Sequence, residues 1–282
     1  MSTVLFDSPG PRARARHNVL TVVAVVIALA ILGWVIWKLW QEGEFSADLW
    51  EDLAQPNIWN AYGLGLAATL KAAVSAIILS VLFGAVFAVA RLSDRIYFRL
   101  PARIIVEFFR SVPLLLLIMF VYFGLLHQLY WSLVLALMLY NGSVLAEVFR
   151  AGVLAVPRGQ SEAAQAVGMR KGQVMRLVLL PQSVAIMLPA IVSQCVIVLK
   201  DTALGQIVSY RELVAESQGI AQFVHHNIVP LCIAAVIYIA INYSLSKFAV
   251  YLQRALSQRG RTSEGATATS DVTFGPGANA GA

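Results

Sequence analysis

The sequence predicts an all-α protein, a polytopic transmembrane helical bundle of about six spans. The chain is 59% hydrophobic and only 13% charged, whereas a soluble domain has about 25% charged residues. Its apolar runs reach the roughly 20 residues that a helix needs to cross a bilayer. Lys and Arg are concentrated in alternate loops. The net charge of +6 is therefore typical of the basic loops on one side of a membrane protein and does not indicate a nucleic-acid-binding protein.

The predicted elements follow the chain in order. Residues 1–18 form a basic N-terminal arm, and residues 19–40 form a first transmembrane helix that ends in Trp34, Trp37 and Trp40. Ala28-Leu29-Ala30 also resembles a signal-peptide cleavage site, but the apolar run is long for a signal peptide and favours an uncleaved helix. An acidic outer loop occupies residues 41–60. The remaining spans are predicted at residues 62–90, 104–126, 130–151, 182–199 and 228–251, and the tail, residues 256–282, has the composition of a disordered segment.

The positive-inside rule gives the expected orientation. One side carries the clusters at residues 12–16, 91–110, 150–176 and 247–261, whereas the other side carries only Lys38, Lys200 and Arg211. We therefore expect a multi-pass protein of the cell membrane with both termini in the cytoplasm. Pro113 and Pro189 lie within predicted spans and are expected to kink them.

A polar stretch of small residues separates the fourth and fifth spans. We call residues Glu162–Pro181 the Glu162 loop. Its first part is rich in alanine, a good helix former, and Gly168 suits a helix end at positive φ. Pro181 then precedes the next apolar run. From the residues alone, a plain polar connection between two spans remains an alternative to a docking element.

The Glu162 loop resembles the EAA loop of ABC importer permeases. That motif reads Glu-Ala-Ala, three residues, Gly, nine residues, an aliphatic residue, one residue, then Leu-Pro. The matching residues are Glu162, Ala163, Ala164, Gly168, Leu180 and Pro181, with Val178 where isoleucine is usual. Three further phrases, at residues 106–115, 147–152 and 199–204, resemble the polar amino-acid uptake branch of the family.

The resemblance implies a five-span permease domain over residues 61–255, preceded by one additional helix. It implies that the Glu162 loop contacts ATP-hydrolysing subunits. It also implies four kinds of partner: a homologous or identical second permease, two ATPase subunits, an extracellular solute-binding protein, and membrane lipid. The added helix and tail resemble one permease of actinobacterial glutamate uptake systems, which makes glutamate the expected solute.

The sequence contains no phosphate-binding loop. We therefore expect ATP to be used by partner subunits and not by this chain. We also expect no catalytic residues, no metal site, no cofactor held by this chain and no nucleic-acid partner. A permease for another amino acid or small polar solute remains an alternative, as does a membrane sensor or scaffold.

Ionisable residues inside a membrane are candidates for function. The predicted solute path comprises Glu147, Ser193, Lys200, Asp201 and Lys71. Two polar stripes are expected to point into the bundle: Tyr140, Ser143, Glu147 and Arg150 on the fourth span, and Gln182, Pro189, Ser193 and Lys200 on the fifth. Purely structural roles also remain open: Glu147 pairing with Arg150, Lys200 pairing with Asp201, and Lys71 extending towards the membrane surface.

Overall fold

The computed structural model describes residues 10–261, and in that range the chain forms helices and no strands. The α-helices are α1 (Pro11–Gln41), α2 (Ala47–Leu53), α3 (Pro56–Leu92), α4 (Ile96–Ser111), α5 (Leu114–Val121), α6 (Leu129–Leu154), α7 (Arg158–Ala166), α8 (Lys171–Gln173), α9 (Leu180–Asp201), α10 (Leu213–Val224) and α11 (Ile228–Arg261). Three tighter or wider helical stretches join them: π-helices at Tyr122–Leu126 and Val174–Leu179, and a 3₁₀-helix at Thr202–Val208.

Five segments of the described chain are long and apolar enough to cross a membrane: Arg16–Gln41, Pro56–Leu92, Leu129–Leu154, Lys171–Val208 and Ile228–Phe248. The paired helices Ile96–Ser111 and Leu114–Leu126 make a sixth if they count as one broken span. This confirms the predicted all-α bundle of about six spans. Helix α1 begins at Pro11 and α11 continues to Arg261. The remaining residues of the predicted arm and tail, 1–9 and 262–282, lie outside the described residues.

The third span differs from its prediction as one helix over residues 104–126. Helices α4 and α5 are separate and meet at 103°. The break falls at Val112 and Pro113, and both have extended backbone. Pro113 has no N–H to continue the helix, and the residue before a proline avoids helical geometry. The expected kink is therefore a sharp corner between α4 and α5. Pro189, by contrast, lies inside the unbroken helix α9.

Helices α3 and α6 form the centre of the bundle through small residues. The buried face of α3 carries a small residue at every fourth position: Ala72, Ala76, Ser80, Gly84 and Ala88. This spacing keeps them on one side of the helix and lets the two backbones approach closely. A Cβ added at Gly84 would lie 2.9 Å from Leu145 Cβ and 3.1 Å from Gly142 O, so this contact needs a residue without a side chain.

The acidic loop, residues 41–60, is more ordered than a solvated connection. It contains α2, whose Leu49 and Leu53 are buried in a cluster with Tyr62 of α3 and Leu213 of α10. We call this end of the bundle the α10 end, and the opposite end, which carries α7, the loop end. Helix α1, in contrast, exposes almost every side chain that the structure describes.

Candidate functional site

Helix α7 forms the first half of the Glu162 loop and has a defined stop. After Ala166 the chain makes a turn in which Gly168 N–H donates to Gln165 O at 2.9 Å and Met169 N–H donates to Ala164 O at 3.2 Å. These are the two bonds of a Schellman motif, and Gly168 takes the positive φ, +84°, that the motif requires. The prediction of a short helix that ends at Gly168 with positive φ is confirmed.

The exposure pattern of α7 leaves a surface of small side chains. Ala164 is buried at 6% exposure, whereas Glu162, Ala163 and Ala166 are exposed. Val167, at the helix end, is 78% exposed. Among the described residues, the Glu162 carboxylate accepts no hydrogen bond and makes no ion pair. The carboxylate and the small residues beside it are free to meet another molecule.

The second half of the loop connects α7 directly to the bundle. Val174, at the start of the π-helical stretch, is buried, and Gln182 Nε2 donates to Gln160 Oε1 at 3.3 Å. The π-helix includes Val178 and passes into α9 without a break, at Leu180 and Pro181. A proline cannot donate the regular helical bond, which explains why the change of helix type falls here.

An exposed ion pair also links the loop to the α3–α4 turn. Lys171 Nζ lies 2.8 Å from Asp94 Oδ2. Its hydrogen bond and positive charge lower the pKa of the Asp94 carboxyl. Both side chains are about four-fifths exposed, and such surface pairs contribute little to stability. The firm connection from the loop into the bundle is therefore the continuous helix into α9.

At the loop end of the bundle, Glu147 lies between two arginines. Arg91 Nη1 of α3 is 2.7 Å from Glu147 Oε2, and Arg150 Nε donates to both carboxylate oxygens at 3.2 Å. The pairing of Glu147 with Arg150 is the structural alternative foreseen from the sequence. Arg91 is an additional partner, and it ties α3 to α6 across their interface.

A chain of polar side chains lies deeper in the bundle. Gln194 of α9 donates through Nε2 to Asn141 Oδ1 of α6 at 2.5 Å, and Asn141 Nδ2 donates to Asp201 Oδ2 at 3.4 Å. Asn141 and Gln194 are buried. Asp201 therefore faces α6, and it makes no ion pair with Lys200 in the described chain. Buried polar groups need such partners, so this chain fixes α9 against α6.

The other predicted path residues lie on different surfaces. Ser193 is exposed and donates to Pro189 O at 3.0 Å. Lys200 is exposed and lines a cleft of about 650 Å³ against α11. Lys71 is exposed and lies over the ring of Tyr130, with 4.8 Å between Nζ and the ring centroid. The structure thus does not gather Glu147, Ser193, Lys200, Asp201 and Lys71 into one cavity of this chain.

The prediction that the polar stripe of α9 points into the bundle is wrong for the single chain. Pro189, Ser193 and Lys200 are exposed, because α9 packs inwards through Met187, Gln194 and Val198. On α6 the prediction is confirmed for Ser143, which is buried, and for Glu147, which is about a quarter exposed. The exposed stripe of α9 leaves a polar surface that another subunit can cover.

At the α10 end, Glu212 is fully buried and joins two helices, α10 and α11. Its carboxylate caps α10 by accepting from Val214 N at 2.9 Å and Ala215 N at 2.8 Å. It also accepts from Tyr238 Oη of α11 at 2.9 Å. Burial raises the pKa of Glu212, and the charge of the neighbouring Glu216 raises it further, while the backbone bonds lower it.

Comparison with known proteins identifies the family. Residues 80–258 match the family model of the binding-protein-dependent transport system inner membrane component. The chain belongs to this family of transport permeases. The permease is 38% identical to the glutamate transport system permease protein GluD of Corynebacterium glutamicum, over 76% of this chain and 82% of GluD. It is 32% identical to the arginine transport system permease protein ArtQ of Bacillus subtilis, over 69% of this chain and 90% of ArtQ.

A solved structure has the same fold. It is a crystal structure of an amino acid ABC transporter with histidines, which superposes on the permease with a TM-score of 0.68 at 29% identity. The alignment covers 72% of this chain and 97% of the solved one. The family match begins within α3, so helix α1 of this permease lies outside it.

Sequence reasoning missed several polar residues of the permease: Arg91, Asn141, Gln194 and Glu212. Asn141 follows Tyr140 of the predicted stripe, and Gln194 follows the predicted Ser193. An amide side chain inside a predicted span is therefore a signal that could have identified both residues. Arg91 was counted only as a basic loop residue. Glu212 lies in a polar segment between two predicted spans, and nothing in its local pattern indicates burial.

Proposed function

We propose that this chain is the translocation subunit of an ABC importer and that the Glu162 loop receives force from ATP-hydrolysing subunits. One observation carries the proposal: α7 is a short, firmly stopped helix with an exposed surface of small residues, and it continues through the π-helix into α9. A rigid element of this kind transmits a displacement that a flexible loop would absorb. Small side chains let it enter a groove of a partner.

The proposed solute is glutamate. Support comes from the 38% identity to GluD, and the 32% identity to ArtQ makes arginine the competing solute. Lys200 offers a cation for a carboxylate near the α10 end, while Asp201 and Glu147 offer anions for an ammonium group. Because Asp201 is held by Asn141 and Glu147 by two arginines, we propose that Lys200 and Ser193, which are exposed, meet the solute first.

The proposed assembly has a second permease, two ATPase subunits and a solute-binding protein outside the cell. The exposed polar stripe of α9 supports the second permease, because a path between two chains needs polar surfaces on their outer faces. The chain itself would hold no cofactor and hydrolyse no ATP. Basic residues gathered at the loop end support a cytoplasmic position for the loop and both termini.

The docking surface is tested by placing bulk on α7. Ala163→Trp should abolish co-purification of the ATPase subunits and ATP-dependent uptake, because the indole prevents close approach. The matched control is Ala30→Trp, an exposed alanine on α1, outside the family match; it should change neither. Intact subunit binding and uptake in Ala163→Trp would contradict the docking role.

The solute is tested on the complete complex in proteoliposomes. Uptake of labelled glutamate should require ATP and should be suppressed by excess glutamate but not by excess arginine. Uptake of arginine without uptake of glutamate would identify arginine as the solute, and it would leave the proposed docking role unaffected. A chain that is purified without ATPase subunits or solute would instead favour the sensor or scaffold.

A further inference from the structure

A basic cavity of about 440 Å³ opens at the loop end of the bundle. It lies where the end of α3, the polar side of α4 and the last turns of α6 meet. We call it the arginine pocket. Its lining consists of five arginines and two glutamates: Arg91, Arg99, Arg103, Arg110, Arg150, Glu107 and Glu147.

The arginine pocket has more positive charge than its own carboxylates neutralise. Glu147 is shared by two arginines, and Glu107 is paired with Arg103 at 2.8 Å. Arg99 and Arg110 make no ion pair within the described chain, and five guanidinium groups against two carboxylates leave an excess of three positive charges. A bound anion would balance part of this excess.

Arg91 is the least exposed arginine of the pocket. Its side chain is 10% exposed, and its Nη1 lies 2.7 Å from Glu147 Oε2, a carboxylate that it shares with Arg150. Buried guanidinium groups normally have their donors satisfied. An anion with several oxygens, such as a phosphate, accepts several such donors at once.

Helix α4 relates this pocket to the membrane surface. Its arginines recur at steps of four and seven residues, which keeps them on one side, while the other side exposes Tyr97, Leu100, Ile104 and Phe108. The corner of 103° sets α4 nearly perpendicular to the apolar segment that follows it, Leu114–Leu126. A helix with basic and apolar sides in this position lies in the interface, with its apolar side towards the acyl chains.

We propose that the arginine pocket binds the phosphate of an anionic phospholipid, whose acyl chains lie against the apolar side of α4. Only a lipid uses both surfaces: a free phosphate or an acidic amino acid would occupy the basic side and leave the apolar side uncovered. Basic pockets between transmembrane helices are known to bind acidic headgroups in this manner. The site goes beyond the proposed solute transport.

The test removes the two arginines that lack an ion pair. Arg99 and Arg110 are exposed, so the double variant Arg99→Gln/Arg110→Gln should fold normally. Full-length protein in detergent is titrated with phosphatidylglycerol and with phosphatidylcholine of the same acyl chains, and bound lipid is counted by native mass spectrometry. Wild type should bind phosphatidylglycerol more tightly, and the double variant should lose about 30-fold of that affinity, with phosphatidylcholine unchanged.

The matched control is Arg95→Gln/Arg176→Gln. It removes the same charge from exposed positions at the loop end that do not line the pocket, and it should retain the preference for phosphatidylglycerol. Equal phosphatidylglycerol binding in the pocket variant and wild type would overturn the proposal. Displacement of the lipid from wild type by millimolar inorganic phosphate or glutamate would also overturn it, because the pocket would then be a site for a small soluble anion.

Discussion

The sharpest test of the Glu162 loop is the substitution Gly168→Ala. Gly168 has φ of +84°, and no atom lies within 4 Å of a Cβ added there, so the effect comes from the backbone alone. An L-residue costs about 1–2 kcal/mol in the left-handed region. The equilibrium between the formed and the opened turn at the end of α7 would then shift about 5- to 30-fold towards the opened turn.

The control lies in the same helix. Gly159 also has open space around its Cβ, but its φ is not positive. Gly159→Ala should therefore leave α7 intact or stabilise it by up to about 1 kcal/mol. The pair of variants separates the conformation at Gly168 from the mere addition of a methyl group in or beside α7.

The assay combines hydrogen exchange and transport. In the assembled complex, Gly168→Ala should speed amide exchange at the end of α7 and lower both uptake and the stimulation of ATP hydrolysis by solute. Gly159→Ala should change none of these measurements adversely. Faster exchange with normal uptake and stimulation would refute the argument that a firmly stopped α7 is needed for coupling.

Three further predictions concern the bundle. Gly84→Ala should lower the melting temperature relative to Gly63→Ala, which meets open space, because overpacking against α6 costs about 1–3 kcal/mol; equal melting temperatures would contradict the close helix contact. Burial raises the pKa of Glu212 above its ordinary 4.5, so its contribution to stability is full below pH 4.5 and is lost as pH rises through the raised value. Glu212→Gln should remove that part of the pH dependence of thermal unfolding, and an unchanged profile would contradict the contribution assigned to Glu212. In a background without native cysteines, Asp48→Cys should react with an impermeant thiol reagent in intact cells and Gln173→Cys only after lysis; the reverse pattern would invert the orientation.

The sequence was informative where a pattern is local. Apolar runs and their charged flanks placed the spans, and Gly168 together with its alanine-rich neighbours placed the end of α7. The corner between α4 and α5 was foreseen only as a kink at Pro113, because the chain remains apolar through it and a bend angle is decided by packing. The facing of α9 is not evident from the sequence, because its polar stripe is more conspicuous than Gln194, the neighbouring amide that is buried.

The contacts between helices determine how a displacement of the Glu162 loop would reach the interior of the bundle. Helix α9 has 22 residues and therefore a length of about 33 Å, so a shift at Pro181 is carried towards Asp201. Along that length, the buried amides Gln194 and Asn141 hold α9 to α6. Breaking their bond would leave Gln194 Nε2 and Asn141 Oδ1 without this partner, at a cost of about 1–3 kcal/mol. A movement transmitted by α9 must therefore carry α6 with it, and α3 follows because Arg91 and the small-residue interface bind it to α6. In the proposed coupling, a movement of the Glu162 loop would therefore act on the central pair of helices as one unit, and the surface left to change would be the exposed stripe of α9.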